Sequence, residues 1–351
     1  MNRMTTRSLS PLADAKTTNW AVRWSSALGA GLCGVLIFLS NSTQAADKVK
    51  VAIVSRTVFY APLWVAQQNK LFEVEGLQVE IEVFDSAERI SDALKSGSVE
   101  IAISTPEGVI VDSLAGGPLR IVAGNAKKLP HFVIAKGAIK TPADLRGANF
   151  GVLSLNEGTT YLVREYARSA GLKPDEYRIS QVGGAPTRWK LLKEGKIDAG
   201  LQPFPLSYEA EQAGFTNLGP ISKIIPDWQF TSVNVNANWA RANRNVVERF
   251  LHSLQRGSAD MERDLQAAAA IVARELRTSP AFALRALEDT QQLEILSKDW
   301  SVSRTGLARV FDSLVETGQI ARDSKFDVSK VVDESYHANI RPLPARDGRA
   351  F

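Results

Sequence analysis

ALKSGSVEIAIS (residues 93–104) returns 98 residues later as LLKEGKIDAGLQ (residues 191–202). Leu94, Lys95 and Gly97 are matched by Leu192, Lys193 and Gly195, and each copy continues with an apolar residue, an acid and an apolar run. A second pair, VAIVS (51–55) and FGVLS (150–154), lies 99 residues apart, so the two pairs hold register. The helical patterns after this second pair both close on Gly-Leu, at Gly76-Leu77 and Gly171-Leu172. Any two βα units look somewhat alike; two matched pairs at offsets that differ by one residue instead mark a long-period repeat, here two similar lobes.

Outward from these stretches, short β-branched runs alternate with helical patterns. Residues 49–55 (VKVAIVS), 77–84, 99–104 and 119–124 read as strands, and 60–74, 87–96 and 106–114 carry helical spacing. Gly97 stands where a helix C-terminus wants glycine. This rhythm predicts an α/β fold in which each lobe is a doubly wound, mostly parallel sheet with helices on both faces. Residues 131–135 (HFVIA) and 231–236 (TSVNVN) are strands without a helix on one side, and suit two crossing strands that join the lobes. Helical patterns follow at 245–256, 265–277, 281–288 and 303–317. The expected organisation is a leader (1–45), the first part of lobe I (46–132), lobe II (133–234), a helical return to lobe I (235–340) and a tail (341–351) with Pro342, Pro344 and Gly348.

The 351 residues are 44% hydrophobic and 23% charged, which excludes collagen, coiled coil and long disorder. A net charge of +4 with no basic run longer than Lys127-Lys128 leaves no electrostatic footprint for nucleic acid. Cys33 lies in the apolar stretch 27–39, which follows Arg3, Arg7, Lys16 and Arg23 and precedes SNSTQAA (40–46). Basic flank, short apolar core and small-residue end describe a secretory signal peptide. Its 13 apolar residues fall short of the ~20 that span a bilayer. Cleavage near Ala45 or Ala46 removes four basic residues and Asp14, leaving 38 basic against 37 acidic residues and no cysteine. A disulfide scaffold, a cysteine zinc site and a thiol nucleophile would then be excluded.

A family resemblance rests on APLWVA (61–66), KLF (70–72) and EGL (75–77), then TPADLRG (141–147), AGL (170–172) and GGAPTR (183–188) running to GKIDAG (195–200). Together these resemble periplasmic solute-binding proteins of the nitrate/sulfonate/taurine type, which are similar in turn to binders of the thiamine pyrimidine precursor. The likeness covers nearly all of the chain after the leader. It implies a two-lobed type II periplasmic binding fold, acting as a monomer in the periplasm without a cofactor, that closes on a small-molecule anionic ligand and delivers it to the permease of an ABC transporter. One departure is Asn69, where the family has Gly; Asn also tolerates the left-handed conformation.

Ligands of open α/β sheets bind at the carboxyl ends of the strands, where helix N-termini offer free N–H groups. The candidates there are Ser55, Ser104, Thr105, Ser154 and Gln202 at strand ends, with Gly158, Thr159 and Thr160 opening a helix in lobe II. The plainer reading of each hydroxyl is a helix cap. Phe59, Tyr60, Phe204 and Trp228 gather at the same ends and suit an apolar or planar ligand body; the plainer reading is packing beneath loops. Arg56 and Arg188 could fork a carboxylate or sulfonate, and Asn125 is a further polar candidate. No phosphate loop, Gly-x-Ser-x-Gly elbow or His-Glu-x-x-His motif is present, and His131, His252 and His337 are scattered, so neither catalytic nor metal residues are expected. Two other classes compete. A pyrimidine synthase of the related thiamine pathway would need a Cys-rich iron motif, which is missing. A ligand sensor would be held at the membrane by residues 27–39. The expected N-terminus of protein purified from the cell envelope is Ala46 or Asp47 by terminal sequencing; an intact Met1 or Met4 would restore the anchor.

Overall fold

The computed structural model describes residues 45–338, so the expected leader (1–45, apart from Ala45) and tail (341–351) lie outside the described residues. In chain order the strands are β1 (Asp47–Ile53), β2 (Leu77–Val83), β3 (Ile101–Ser104), β4 (Leu119–Gly124), β5 (His131–Ala135), β6 (Asn149–Val152), β7 (Arg178–Gln181), β8 (Ala199–Pro203), β9 (Thr216–Pro220) and β10 (Ser232–Asn236). The helices used below are α1 (Ala61–Gln68), α2 (Ala87–Ser96), α3 (Glu107–Leu114), α4 (Gly158–Ser169), α5 (Ala185–Lys193), α6 (Leu206–Gln212), α7 (Arg244–Arg263), α8 (Leu265–Leu276), α9 (Pro280–Gln292) and α10 (Arg304–Glu316).

Among the described residues the strands form two five-stranded sheets, ordered β2-β1-β3-β10-β4 and β7-β6-β8-β5-β9. The two orders are the same pattern. In each sheet a parallel trio is followed by one antiparallel strand, β10 or β5, wedged before the edge strand. The repeat read from the sequence thus becomes two topologically equal α/β lobes of the periplasmic binding type. Central strands such as β3 are buried on both faces, which is why IAIS carries no alternation.

The strands expected to cross between lobes are instead full members of a sheet: β5 pairs with β8 and β9, and β10 with β3 and β4. The chain crosses just before each of them, and the two crossing segments run hydrogen-bonded together. Asn125 N donates to Thr231 O (3.0 Å), Phe230 N donates to Ala126 O (2.8 Å), and Gln229 Nε2 donates to Ala126 O (3.1 Å).

Local signals mostly landed where expected. Gly97 ends α2 at φ 73°, and Ser86 opens the same helix by accepting from Arg89 N (3.3 Å). The left-handed residue near the Leu-Phe pair, however, is Lys70 at φ 55°, while Asn69 keeps φ −83° as the cap of α1. The Asn69 side chain donates from Nδ2 to Asp260 Oδ2 of α7 (2.9 Å).

Helices α7 and α1 cross at Gly257. A Cβ there would lie 2.3 Å from the Pro62 carbonyl oxygen and 3.0 Å from Ala66 Cβ. Alanine adds about 1 kcal/mol of helix propensity, but the collision is with backbone and cannot be relieved by a rotamer. Gly257→Ala should therefore lower the unfolding free energy by ~1–3 kcal/mol, read from the denaturant midpoint. An unchanged midpoint would mean that α1 and α7 separate without cost.

Candidate functional site

The carboxyl ends of both sheets face each other. From lobe I come Val54 and Ser55 after β1, Thr105 after β3, and Phe59; from lobe II come Leu153 after β6, Thr159 on α4, Arg188 on α5 and Pro203 ending β8. With Glu157, His131 and Phe230 they enclose a buried chamber of about 20 Å³, room for a water molecule or two. The chamber adjoins a broad outer groove of about 750 Å³, with Ser55 and Gly184 lining both.

Glycines let the lobes approach this closely. A Cβ on Gly184, which caps α5, would lie 2.9 Å from Ser55 Cβ. One on Gly158, the first residue of α4, would lie 2.5 Å from Glu107 Oε1 and 2.7 Å from the Trp228 ring. Across that contact Gly158 N donates to Glu107 Oε1 (3.0 Å).

The charges at the chamber are buried. Arg188 is 3% exposed; its Nε and Nη2 donate to Leu201 O (3.2 and 2.8 Å) and its Nη1 to Gly183 O (3.0 Å). Burial lowers its pKa to about 10, opposed by the charge of Glu157, so it remains a cation at neutral pH. Glu157 accepts from the Thr159 hydroxyl on Oε1 and has no partner on Oε2; burial is the main cause that pushes it up to about 6. Glu107 also lacks a partner on Oε2, and burial followed by the charge of Glu157 pushes it up to about 8. His131 is held neutral by burial first and Arg188 second, with Nδ1 unpartnered. The Thr105 hydroxyl is buried without a hydrogen bond of normal geometry.

The structure therefore brings Ser55, Phe59, Thr105, Thr159 and Arg188 together, with Gly158 beside them, and does not bring the other candidates into the chamber. Arg56 lies in the outer groove, ion-paired with Glu275 and 5.1 Å over the Trp64 ring. Ser104 Oγ accepts from Asn234 Nδ2 (2.9 Å), and Asn125 Nδ2 donates to Phe59 O (3.1 Å) and Thr231 Oγ1 (3.0 Å). Ser154 donates to Glu88 of α2 across the lobes, and Thr160 Oγ1 donates to Ser154 O (2.8 Å). The Gln202 amide meets Ala185 O and Trp189 N of α5, both at 3.2 Å. Tyr60 packs edge-on to Trp64, Phe204 stacks on Tyr208 and Trp228 on Tyr161.

Sequence reasoning missed Glu107, Glu157, His131 and Phe230. Both glutamates lie within two residues of candidates named from the sequence, Thr105 and Gly158. An acid at a helix start reads as an ordinary complement to the helix dipole, and only the facing of two such starts across a cleft gives it another meaning. Among the described residues no group of three or more His, Cys, Asp or Glu could hold a metal, and no helix is long and apolar enough to cross a membrane.

Residues 58–268 match the NMT1/THI5-like family, which is more than half of the chain. A Brucella abortus (strain 2308) protein, named only as a binding protein, is 28% identical over 221 residues. The match covers 60% of this chain and 66% of that relative, just under two thirds of its length. Among solved structures, the ligand-binding component of an ABC-type import system from Staphylococcus aureus superposes with a TM-score of 0.69 at 14% identity, over 85% of this chain and 99% of that one. The periplasmic aliphatic sulphonate binding protein SsuA from Escherichia coli gives 0.62 at 17% identity, over 83% and 99%. At these identities the structural likeness establishes the fold, and the sequence match establishes the kinship: the chain belongs to the NMT1/THI5-like family.

Proposed function

We propose that the protein is the substrate-binding component of an ABC importer. It captures a small organic anion, a sulfonate, sulfate ester or aromatic carboxylate, in the periplasm, and as a monomer hands it to the membrane permease. The observation that carries this reading is the buried Arg188 cation in a chamber closed by two lobes, with the buried Thr105 hydroxyl lining the same chamber. Such a chamber sits where strand ends and helix N-termini converge, the ordinary ligand position of paired α/β sheets. Arg188 spends several of its N–H groups on carbonyls of its own lobe, which fixes it as a positioned charge rather than a swinging arm. Arg56, exposed and already paired with Glu275, is the rim.

A second reading is favoured by one specific observation. The free Oε2 atom of Glu157, which lines the chamber, is an acceptor for an N–H donor, as an aminopyrimidine would present. A thermal-shift screen over sulfonates, aromatic carboxylates, nitrate and pyrimidines separates the two. A compound present at ~100 times its Kd adds ~2.7 kcal/mol of stability. For an anion that binds, Thr105→Ala and Thr159→Ala should each weaken affinity by ~1–3 kcal/mol in calorimetry, and Arg56→Ala by less than ~1 kcal/mol, as expected of an exposed pair. Wild-type affinity in both threonine variants would place the head group elsewhere. Stabilisation by pyrimidines alone would transfer the proposal to the second reading.

The chamber of about 20 Å³ is too small for any organic molecule, so the lobes must part for one to enter it. Small-angle scattering should show a radius of gyration that changes on adding saturating compound. An unchanged radius despite verified binding would argue for a rigid pocket.

A further inference from the structure

Glu107 opens α3 in lobe I and Glu157 immediately precedes α4 in lobe II, and the two lobes touch where they meet. Gly158 N donates to Glu107 Oε1 at 3.0 Å in a contact so tight that a Cβ on Gly158 would collide with that oxygen. Both carboxyls are almost wholly buried, at 2% and 3% exposure, and each leaves Oε2 without a partner. An unpaired buried carboxylate is expensive, and the protein avoids the cost by keeping the group protonated.

The charges facing the pair make at least one proton necessary. From α5 comes the Arg188 guanidinium, the cation that favours an ionised Glu157. From α2 comes Glu88, which accepts from Ser154 Oγ and adds negative charge beside Glu157. From β5 comes His131, neutral. The Thr105 and Thr159 hydroxyls carry no charge. On α10, Arg309 turns to the Tyr161 hydroxyl (2.6 Å) and Glu316 (3.6 Å). Glu157 therefore sits between the Arg188 cation and the Glu88 carboxylate, Glu107 faces the charge of Glu157, and an incoming anion would add a further negative group.

We propose that Glu107 and Glu157 clasp the two lobes through a proton that the pair takes up on closing, so that losing this proton opens the cleft and capture of an anion is proton-linked. The clasp itself stands on the geometry of the closed protein; its coupling to capture rests on the anion reading of the site.

A carboxyl whose pKa rises on folding holds a proton that the unfolded chain, titrating near 4.5, has already given up. Stability therefore falls as the pH climbs from about 4.5 toward about 6 for Glu157 and toward about 8 for Glu107. Thermal melts of the ligand-free wild type, Glu107→Gln and Glu157→Gln across neutral and mildly alkaline pH test this. The wild-type midpoint should fall with rising pH, and Glu107→Gln, which keeps an acceptor oxygen for Gly158 N, should flatten the fall and melt above wild type at the alkaline end. Scattering should show the wild type expanding over the same range and the Glu107→Gln protein unchanged. A wild-type midpoint that does not fall, or a Glu107→Gln protein with the wild-type slope, overturns the clasp. Should the variants not fold, infrared spectra of the wild type decide: a protonated-carboxyl stretch that persists at neutral pH is expected, and its absence refutes the proposal.

Calorimetry with benzoate, ethanesulfonate and nitrate, each in two buffers of different ionisation enthalpy, then reads the coupling. Uptake of a fraction of a proton up to one per anion bound is expected. Binding without uptake overturns the link to capture, whereas binding by none of the three overturns the anion reading and leaves the melts to judge the clasp.

Discussion

The pairing of the two crossing segments is the constraint on which the rest of the molecule depends. Each sheet completes itself with one antiparallel strand, β5 or β10, reached only by crossing from the other lobe. The chain must therefore pass twice through the same narrow region, and the backbone polar groups buried there must find partners. They find them in each other. Asn125 and Thr231 bond through both backbone and side chain, Gln229 reaches Ala126 O and Thr231 O, and Asn125 also holds the Phe59 carbonyl below the chamber. A ribbon of two segments with satisfied hydrogen bonds can bend at its ends while its register stays fixed, which is what a hinge between two rigid lobes requires.

The same demand for buried hydrogen-bond partners explains why several polar residues attract attention in the sequence and yet stay out of the chamber. Asn125, Ser104 and Thr160 are polar because buried backbone or buried side chains need them as partners. A lone sequence cannot distinguish a hydroxyl kept for a neighbouring amide from one kept for a ligand. The residues with an unpartnered atom are the informative ones, and that property exists only once the chain is folded. Arg56 and Arg188 show the same limit from the charged side. Both follow a strand end by a few residues, but Arg56 escapes to Glu275 and solvent while Arg188 is drawn under its own β8.

The fold was far more legible than the site, for a physical reason. Topology is carried by many weak signals repeated along the chain: apolar runs at strand positions, glycines after helices, and nearly equal offsets between two halves. Losing any one of them changes little, so a one-residue error such as the left-handed turn at Lys70 rather than Asn69 leaves the lobe intact. The chamber is carried by single residues brought together from four strand ends, and no periodicity announces them. Glu107 and Glu157 were hidden because each alone is favourable at its own helix start; facing each other, the same two groups become the costly ones.

The closed chamber also sets how affinity must arise. The contacts between the lobes around it are the protein's own groups: Gly184 against Ser55, Gly158 N on Glu107, Ser154 on Glu88. On the proposed reading the ligand is an organic molecule far larger than about 20 Å³, so it would bind by replacing some of these interactions. Only the free-energy difference between what the ligand forms and what it displaces can favour the liganded state. Interactions made through glycine backbone and short hydroxyls suit such an exchange, because they bury little apolar area and leave the lobes free to part. A leucine in place of Gly184 would either prop the lobes open or lock them, and in both cases would abolish the balance that lets one pair of surfaces serve the empty and the occupied cleft.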